Sequence, residues 1–314
     1  RCNHFWQHSG KIRKRNGFPK QNTSVFSILV KTHEKIKNDE PFHFLRVNHG
    51  IIDKYAWGFT KLKPNSLPFE QLIEWLDSKD YQSIANHLKK HNTWQYHLET
   101  KTLHDKVDSF IRVFHGYKDV SEKFHIGVSV GVGLDGIWGN LSNDDPLQRG
   151  RVKCLKVIVN STPHQYYHSG IFRHMSIMGE NKKFIERLNE FGYEIVFLGP
   201  EYIRHFEERL GVKNFTHIQT PTRKAMDLYD DYINQILEIR KKNKVILFHT
   251  SGHIASAYIA EKLKDTDIFG FDIGRSFDWI VKDLVESEVT LAGDWFKTLN
   301  VDRMKDHIKK LRNG

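Results

Sequence analysis

Cysteine is nearly missing from this chain: its 314 residues hold two, Cys2 and Cys154, far apart in sequence. Neither a disulfide framework nor a four-cysteine zinc site can be assembled from such a pair, and a reducing, cytoplasmic compartment is the expectation. Long apolar runs are missing as well. Nothing approaches the roughly 18 consecutive apolar residues of a membrane span, and the opening segment has no apolar core resembling a signal peptide. There is no internal repeat and no low-complexity tract. Three catalytic signatures are absent too: the G-x-x-x-x-G-K-[ST] loop, the G-x-S-x-G elbow and the H-x-E…P-C-x-x-C zinc pattern. Their absence argues against P-loop kinases, α/β serine hydrolases and zinc deaminases. Cys154 opens an apolar stretch and reads as core rather than as a nucleophile.

What is present points to a globular protein. The hydrophobic fraction is 39% and the aromatic fraction 12%, too apolar for a disordered chain. The length suits one elaborated α/β domain or two apposed halves. Lys and Arg number 48 against 38 Asp and Glu, a formal charge of +10. Such an excess attracts phosphate-bearing or otherwise anionic partners: nucleotides, nucleic acid, anionic glycans or a membrane surface. Because the basic residues are spread along the chain, a merely solvated lysine-rich surface is an equal reading. The run from Lys11 to Arg15 marks residues 1–22 as a basic extension, followed by halves at 23–150 and 151–314.

Periodicity gives the elements. Apolar residues at helical spacing predict helices over 24–38 and 103–114, and over 68–90 with a break near Ser78-Lys79-Asp80. Alternation predicts strands over 42–47 and 124–130. In the second half, strands are expected at 154–159, 193–198, 245–248 and 268–271. Helices are expected at 181–191, closed by Gly192, at 201–210, along a long stretch opened by Thr220-Pro221, and after Gly252. Strands alternating with helices describe β-α-β units, hence an α/β, Rossmann-like, mostly parallel sheet covered by helices on both faces. Ligands of such sheets collect beyond the carboxyl ends of strands. That rule draws attention to Asn48-His49-Gly50, Asn160-Ser161-Thr162, Gly199-Pro200, His249-Thr250-Ser251-Gly252 and Asp272-Ile273-Gly274.

Gly131-Val132-Gly133-Leu134-Asp135-Gly136 spells G-x-G-x-x-G after an expected strand. A dinucleotide site needs a helix there at once, whereas Ile137-Trp138-Gly139-Asn140 continues as loop chemistry. Val245 to His253 is more informative, being an apolar strand, a small polar turn and a helix start. Its free N–H groups and positive helix end suit a diphosphate, with Thr250 and Ser251 adding hydroxyls; an ordinary N-cap explains the same residues. His249 and His253 straddle a turn rather than share a helix face, and Cys2, His4 and His8 fall one thiolate short of a structural zinc site, so no metal is assigned.

Residues 244–279 resemble the carboxyl-terminal block of the GT-D type glycosyltransferases, a family once known only as a domain of unknown function. The residues that carry the resemblance are Phe248-His249-Thr250-Ser251-Gly252-His253-Ile254-Ala255, then Phe271-Asp272-Ile273-Gly274, then Asp278-Trp279, with Phe197-Leu198-Gly199-Pro200 and Pro221 upstream. Where the family carries R-F-G-D-G-E, this chain reads Arg46-Val47-Asn48-His49-Gly50-Ile51, which keeps Arg46 and Gly50 and lacks both carboxylates. The resemblance implies a nucleoside diphosphate sugar donor, a UDP-sugar first among them, with any divalent metal held otherwise or replaced by cationic side chains such as Arg46 and His49.

The expected site follows. Arg46, Asn48, Gly50, Thr250, Ser251, Gly252, His253 and Gly274 bind the donor, and His49, Asp272, Asp278 and Asp53 carry catalysis, the aspartates holding hydroxyls or deprotonating the acceptor. The expected reaction is glycosyl transfer to a hydroxyl on a glycan or on hydroxymethylated bases in DNA, as in phage-type DNA modification. Trp57, Trp138 and Tyr166 would hold an extruded base. The alternative is a non-catalytic nucleic-acid-binding protein with a degenerate nucleotide-sugar site.

Overall fold

The computed structural model describes residues 25–47, 71, 74–75, 78–90, 106–116, 123–128, 166–177, 179–221, 225–251 and 253–285. Among these residues seven strands form one sheet: β1 (His43–Val47), β2 (Phe124–Val128), β3 (Tyr166–His168), β4 (Glu194–Gly199), β5 (Phe215–Gln219), β6 (Val245–His249) and β7 (Phe269–Asp272). Their spatial order is β3-β2-β1-β7-β6-β4-β5. Every pairing is parallel. The expected strand at 154–159, the glycine motif at 131–136 and the basic extension lie outside the described residues.

The helices are α1 (Val25–Lys37), α2 (Tyr81–Lys90), α3 (Val107–Ile111), α4 (Ile171–Ile177), α5 (Asn181–Asn189), α6 (Phe206–Leu210), α7 (Tyr229–Arg240), α8 (His253–Leu263) and α9 (Lys282–Val285). Short 3-10 turns cover Glu201–His205, Ala225–Leu228 and Asp278–Ile280. The break expected before α2 is a turn in which Lys79 takes a φ of 57°. The helix expected over 103–114 splits into α3 and a π turn at Arg112–Gly116.

Both faces of the sheet are covered, which is why the central strands β4 and β6 are apolar along most of their length. On one face Leu45, Ile126, Val196, Leu198, Val245 and Leu247 meet α2, α3, α7 and α8. On the other, Phe44, Phe197, Phe248, Phe269 and Phe271 meet residues of α1, α4, α5, α6 and α9. Register puts Phe197, Phe248, Phe271 and Phe44 in one row across four strands. The first three stack at centroid spacings of 5.0 and 5.2 Å. Each such fully buried side chain contributes about 1.5–3 kcal/mol, so this row helps hold β4, β6, β7 and β1 together.

The strand order positions the site. From β6 the chain moves inward to β7, whereas from β4 it moves outward to β5, so the topological switch point of the sheet falls between β4 and β6 at their carboxyl ends. The carboxyl ends of β1 and β7 open on the same edge, because all strands run the same way.

Candidate functional site

Arg46 is the fourth residue of β1, and Asp272 is the last of β7 beside it. Two hydrogen bonds join them: Arg46 Nε and Nη2 both donate to Asp272 Oδ1, at 3.3 and 3.2 Å. The Gly274 amide donates to the same oxygen at 3.1 Å, and the Ser256 hydroxyl of α8 donates to Oδ2 at 3.0 Å. Asp272 is 0% exposed. Burial pushes its carboxyl up from the ordinary range, against the pull of Arg46, Ser256 and the Gly274 amide.

Gly274 explains why glycine ends this turn. Its φ is +48°, and a Cβ there would lie 1.7 Å from Arg46 Nη2. The Asp272-Ile273-Gly274 sequence is thereby three roles in a row: a carboxylate that holds Arg46, an apolar side chain sunk in the core, and a residue small enough to let the guanidinium pass. A guanidinium has five N–H donors. Arg46 spends two of them on Asp272, its side chain is 12% exposed, and among the described residues no other acceptor is recorded for it.

His249 closes β6 and is the register partner of Asp272. It is buried, and its imidazole is pushed down to about 3, first by burial and then by the Arg46 charge, so it stays neutral. Its Nδ1 has no hydrogen-bond partner among the described residues. Thr250 follows, its amide donating to Leu198 O at 3.0 Å. The Thr250 side chain and Ile203 close over Gly199, where a Cβ would approach them to 2.6 and 2.3 Å. Ser251 is 5% exposed, and its Oγ accepts the Tyr229 hydroxyl at 2.9 Å. Burial pushes the Tyr229 phenol up to about 12.

Asp278 sits beyond β7 and is 1% exposed, with its Oδ1 accepting the Tyr202 hydroxyl at 3.1 Å. Burial, then the Asp278 charge, raise the Tyr202 phenol well above its usual range.

The structure thus gathers Arg46, Thr250, Ser251, Asp272 and Gly274 on one edge, with His253 opening α8. β7 stands between β1, which carries Arg46, and β6. Asp272, expected to hold a hydroxyl or to act as a base, is fully buried and accepts four hydrogen bonds, two of them from Arg46, while Asp278 accepts the Tyr202 hydroxyl. Both oxygens of Asp272 already accept from donors, Oδ1 from Arg46 and the Gly274 amide and Oδ2 from Ser256, and no group of three or more His, Cys, Asp or Glu among the described residues is arranged to hold a metal ion. Asn48, His49, Gly50, Asp53 and Gly252 lie outside the described residues. Ser256, Tyr229 and Tyr202 were missed in the sequence. Ser256 alone carried a signal there, as the polar residue on the apolar face of Ile254 to Leu263.

The fold and this edge define a Rossmann-like α/β domain whose parallel sheet ends in a fixed arginine beside a helix amino terminus. Among solved structures, the chain is similar to a selenomethionine-substituted domain of unknown function 1792, with 12% identity over 86% of this chain and 84% of that one and a TM-score of 0.50. A second structure, described as showing that the highly conserved domain of unknown function 1792 has a distinct glycosyltransferase fold, aligns at 12% identity over 85% and 83% with a TM-score of 0.49. The first of these, at a TM-score of 0.50, shows that the chain shares the fold of that domain. No family model and no curated protein matches the chain.

Proposed function

We propose that the protein is a nucleotide-sugar-dependent glycosyltransferase that seats the diphosphate of its donor, a UDP-sugar in the first instance, between Arg46 and the amino terminus of α8. The observation that carries this reading is the Arg46 guanidinium, tied at one edge to a fully buried carboxylate and retaining, among the described residues, N–H donors with no recorded acceptor at a strand's carboxyl end. Cleaving the anomeric bond leaves negative charge on the departing diphosphate. A donor fixed in advance stabilises that charge without reorganising. The free N–H groups and positive end of α8 add to the field, and Thr250, Ser251 and Gly252 form the turn leading into it.

Asp272 serves as the positioning residue. The proton of the acceptor hydroxyl needs a base elsewhere, and His49 and Asp53, which follow β1 closely in the chain, are proposed for it. The excess of 48 Lys and Arg over 38 Asp and Glu supports a polyanionic acceptor, an anionic glycan or hydroxymethylated DNA.

A panel of UDP- and GDP-sugars, incubated with and without glycan or DNA acceptors, tests this. The expected result is turnover or hydrolysis of at least one donor, reduced about a hundredfold or more in kcat by Arg46→Ala and restored in part by Arg46→Lys, a charge without the fork. If the intact protein binds and consumes no nucleotide sugar, the reading is wrong.

A further inference from the structure

Among the described residues, Ser251 has an unspent proton. Its Oγ accepts the Tyr229 hydroxyl at 2.9 Å, and among the described residues no acceptor is recorded for its own O–H. Both side chains are 5% exposed, so water does little to satisfy either. A buried hydroxyl that accepts from one side is oriented to donate on the other, because its remaining hydrogen must avoid the one it receives. The Tyr229 end of this pair is fixed. The ring opens α7, stands edge-on to Tyr232 at a centroid distance of 5.7 Å, and sits in the core that α7 and α8 share with the sheet. The phenol is kept protonated by burial and by the nearby Asp272 charge, so it acts as the donor of the pair.

Ser251 occupies the turn between β6, which ends at His249, and α8, which begins at His253. Asp272, at the end of the adjacent strand, receives Ser256 from the first turns of the same helix. Two donors on one edge are therefore each held from beneath: Arg46 by Asp272, and Ser251 by Tyr229.

We propose that Tyr229 is a positioning residue which turns the Ser251 hydroxyl outward as a hydrogen-bond donor to the same diphosphate that Arg46 meets. The inference rests on the diphosphate reading of this edge and adds a second donor and the group that aims it. Nothing in the sequence brings the two residues together except the fold.

A double-mutant cycle tests it, with Tyr229→Phe, Ser251→Ala and the pair, titrated with UDP and with inorganic pyrophosphate. Tyr232→Phe removes a neighbouring hydroxyl of the same helix and serves as the control, and thermal midpoints of all variants report folding. Removing one hydrogen bond to a charged group weakens binding about tenfold or more, and a neutral bond that only orients a donor about threefold. Ser251→Ala is expected to lose about tenfold in affinity for both ligands and Tyr229→Phe about threefold. In the Ser251→Ala background, Tyr229→Phe should cost nothing further. Tyr232→Phe should bind as the unaltered protein does. Equal losses from Tyr229→Phe in both backgrounds, or full affinity in Ser251→Ala, overturn the positioning role while leaving Arg46 and its site standing. Failure of the unaltered protein to bind UDP or pyrophosphate removes the diphosphate reading and this inference together.

Discussion

At the scale of single residues, the edge is built around an exchange between Gly274 and Arg46. Only a residue without Cβ tolerates both a φ of +48° and a guanidinium nitrogen 1.7 Å from where that carbon would stand. Gly274→Ala is therefore expected to push Arg46 off Asp272, with a stability cost of about 1–3 kcal/mol and a loss of UDP affinity comparable to that of Arg46→Ala. Gly192 supplies the comparison. Its φ of +68° is as strained for alanine, but a Cβ there meets nothing within 4 Å. Gly192→Ala should lower stability by about 1 kcal/mol and leave UDP binding intact. Urea unfolding beside a UDP titration separates the two, and retained affinity in Gly274→Ala would mean that the guanidinium is not what the ligand meets. In the sequence Asp272-Ile273-Gly274 stood out as a motif, but its reason did not, because the arginine that explains it lies 226 residues earlier.

At the scale of elements, the strands were legible where burial on both faces made them continuously apolar, as in Val245 to Phe248 and Tyr193 to Leu198. Strand β5 escaped notice because it lies at the sheet's margin and buries only Ile218, so Phe215-Thr216-His217-Ile218-Gln219 reads as a polar loop. Strand β3 is three residues long and too short for any period. The long helix was expected from Thr220-Pro221, yet a 3-10 turn at Ala225–Leu228 delays α7 to Tyr229, which is what brings that tyrosine to Ser251.

The central strands also carry two histidines whose cost is pH-dependent. His43 of β1 lies over Gly270 of β7, where a Cβ would approach its Nδ1 to 2.1 Å, and its imidazole, like that of His249, is pushed down to about 3 chiefly by burial. A histidine with a folded value of about 3 and an unfolded value near 6.5 binds protons more readily when unfolded. Its contribution to stability is complete above that unfolded value and drains away as pH falls toward 3. Each histidine adds about 1.4 kcal/mol per pH unit to the slope below pH ~6. Unfolding free energies measured between pH ~6 and ~5 should therefore fall less steeply in His249→Gln than in the unaltered protein, by about one proton's worth. Asp272, raised by burial, opposes this trend in both proteins and cancels in the comparison. Equal slopes would show that His249 is not held neutral.

For the molecule as a whole, where the pairings among the described strands are all parallel, a mostly parallel sheet was implied by the alternation of strands and helices, and with it the edge on which a ligand belongs. The lateral order was not, since no local pattern tells β7 to insert between β1 and β6, and that insertion alone makes Asp272 the link from Arg46 to α8. The charge of the whole chain bears on a separate question, the acceptor. A diphosphate held by one guanidinium and a helix end, at a largely buried edge, is screened weakly by salt, whereas a polyanion held by scattered surface lysines and arginines is bound by releasing counterions and weakens steeply. Raising salt from about 50 mM to about 200 mM should then leave the donor KM within about a factor of three while raising the acceptor KM by orders of magnitude. Steady-state kinetics with each substrate varied in turn measures both. A flat acceptor response would assign the +10 charge to solubility and direct the search to neutral hydroxyl acceptors.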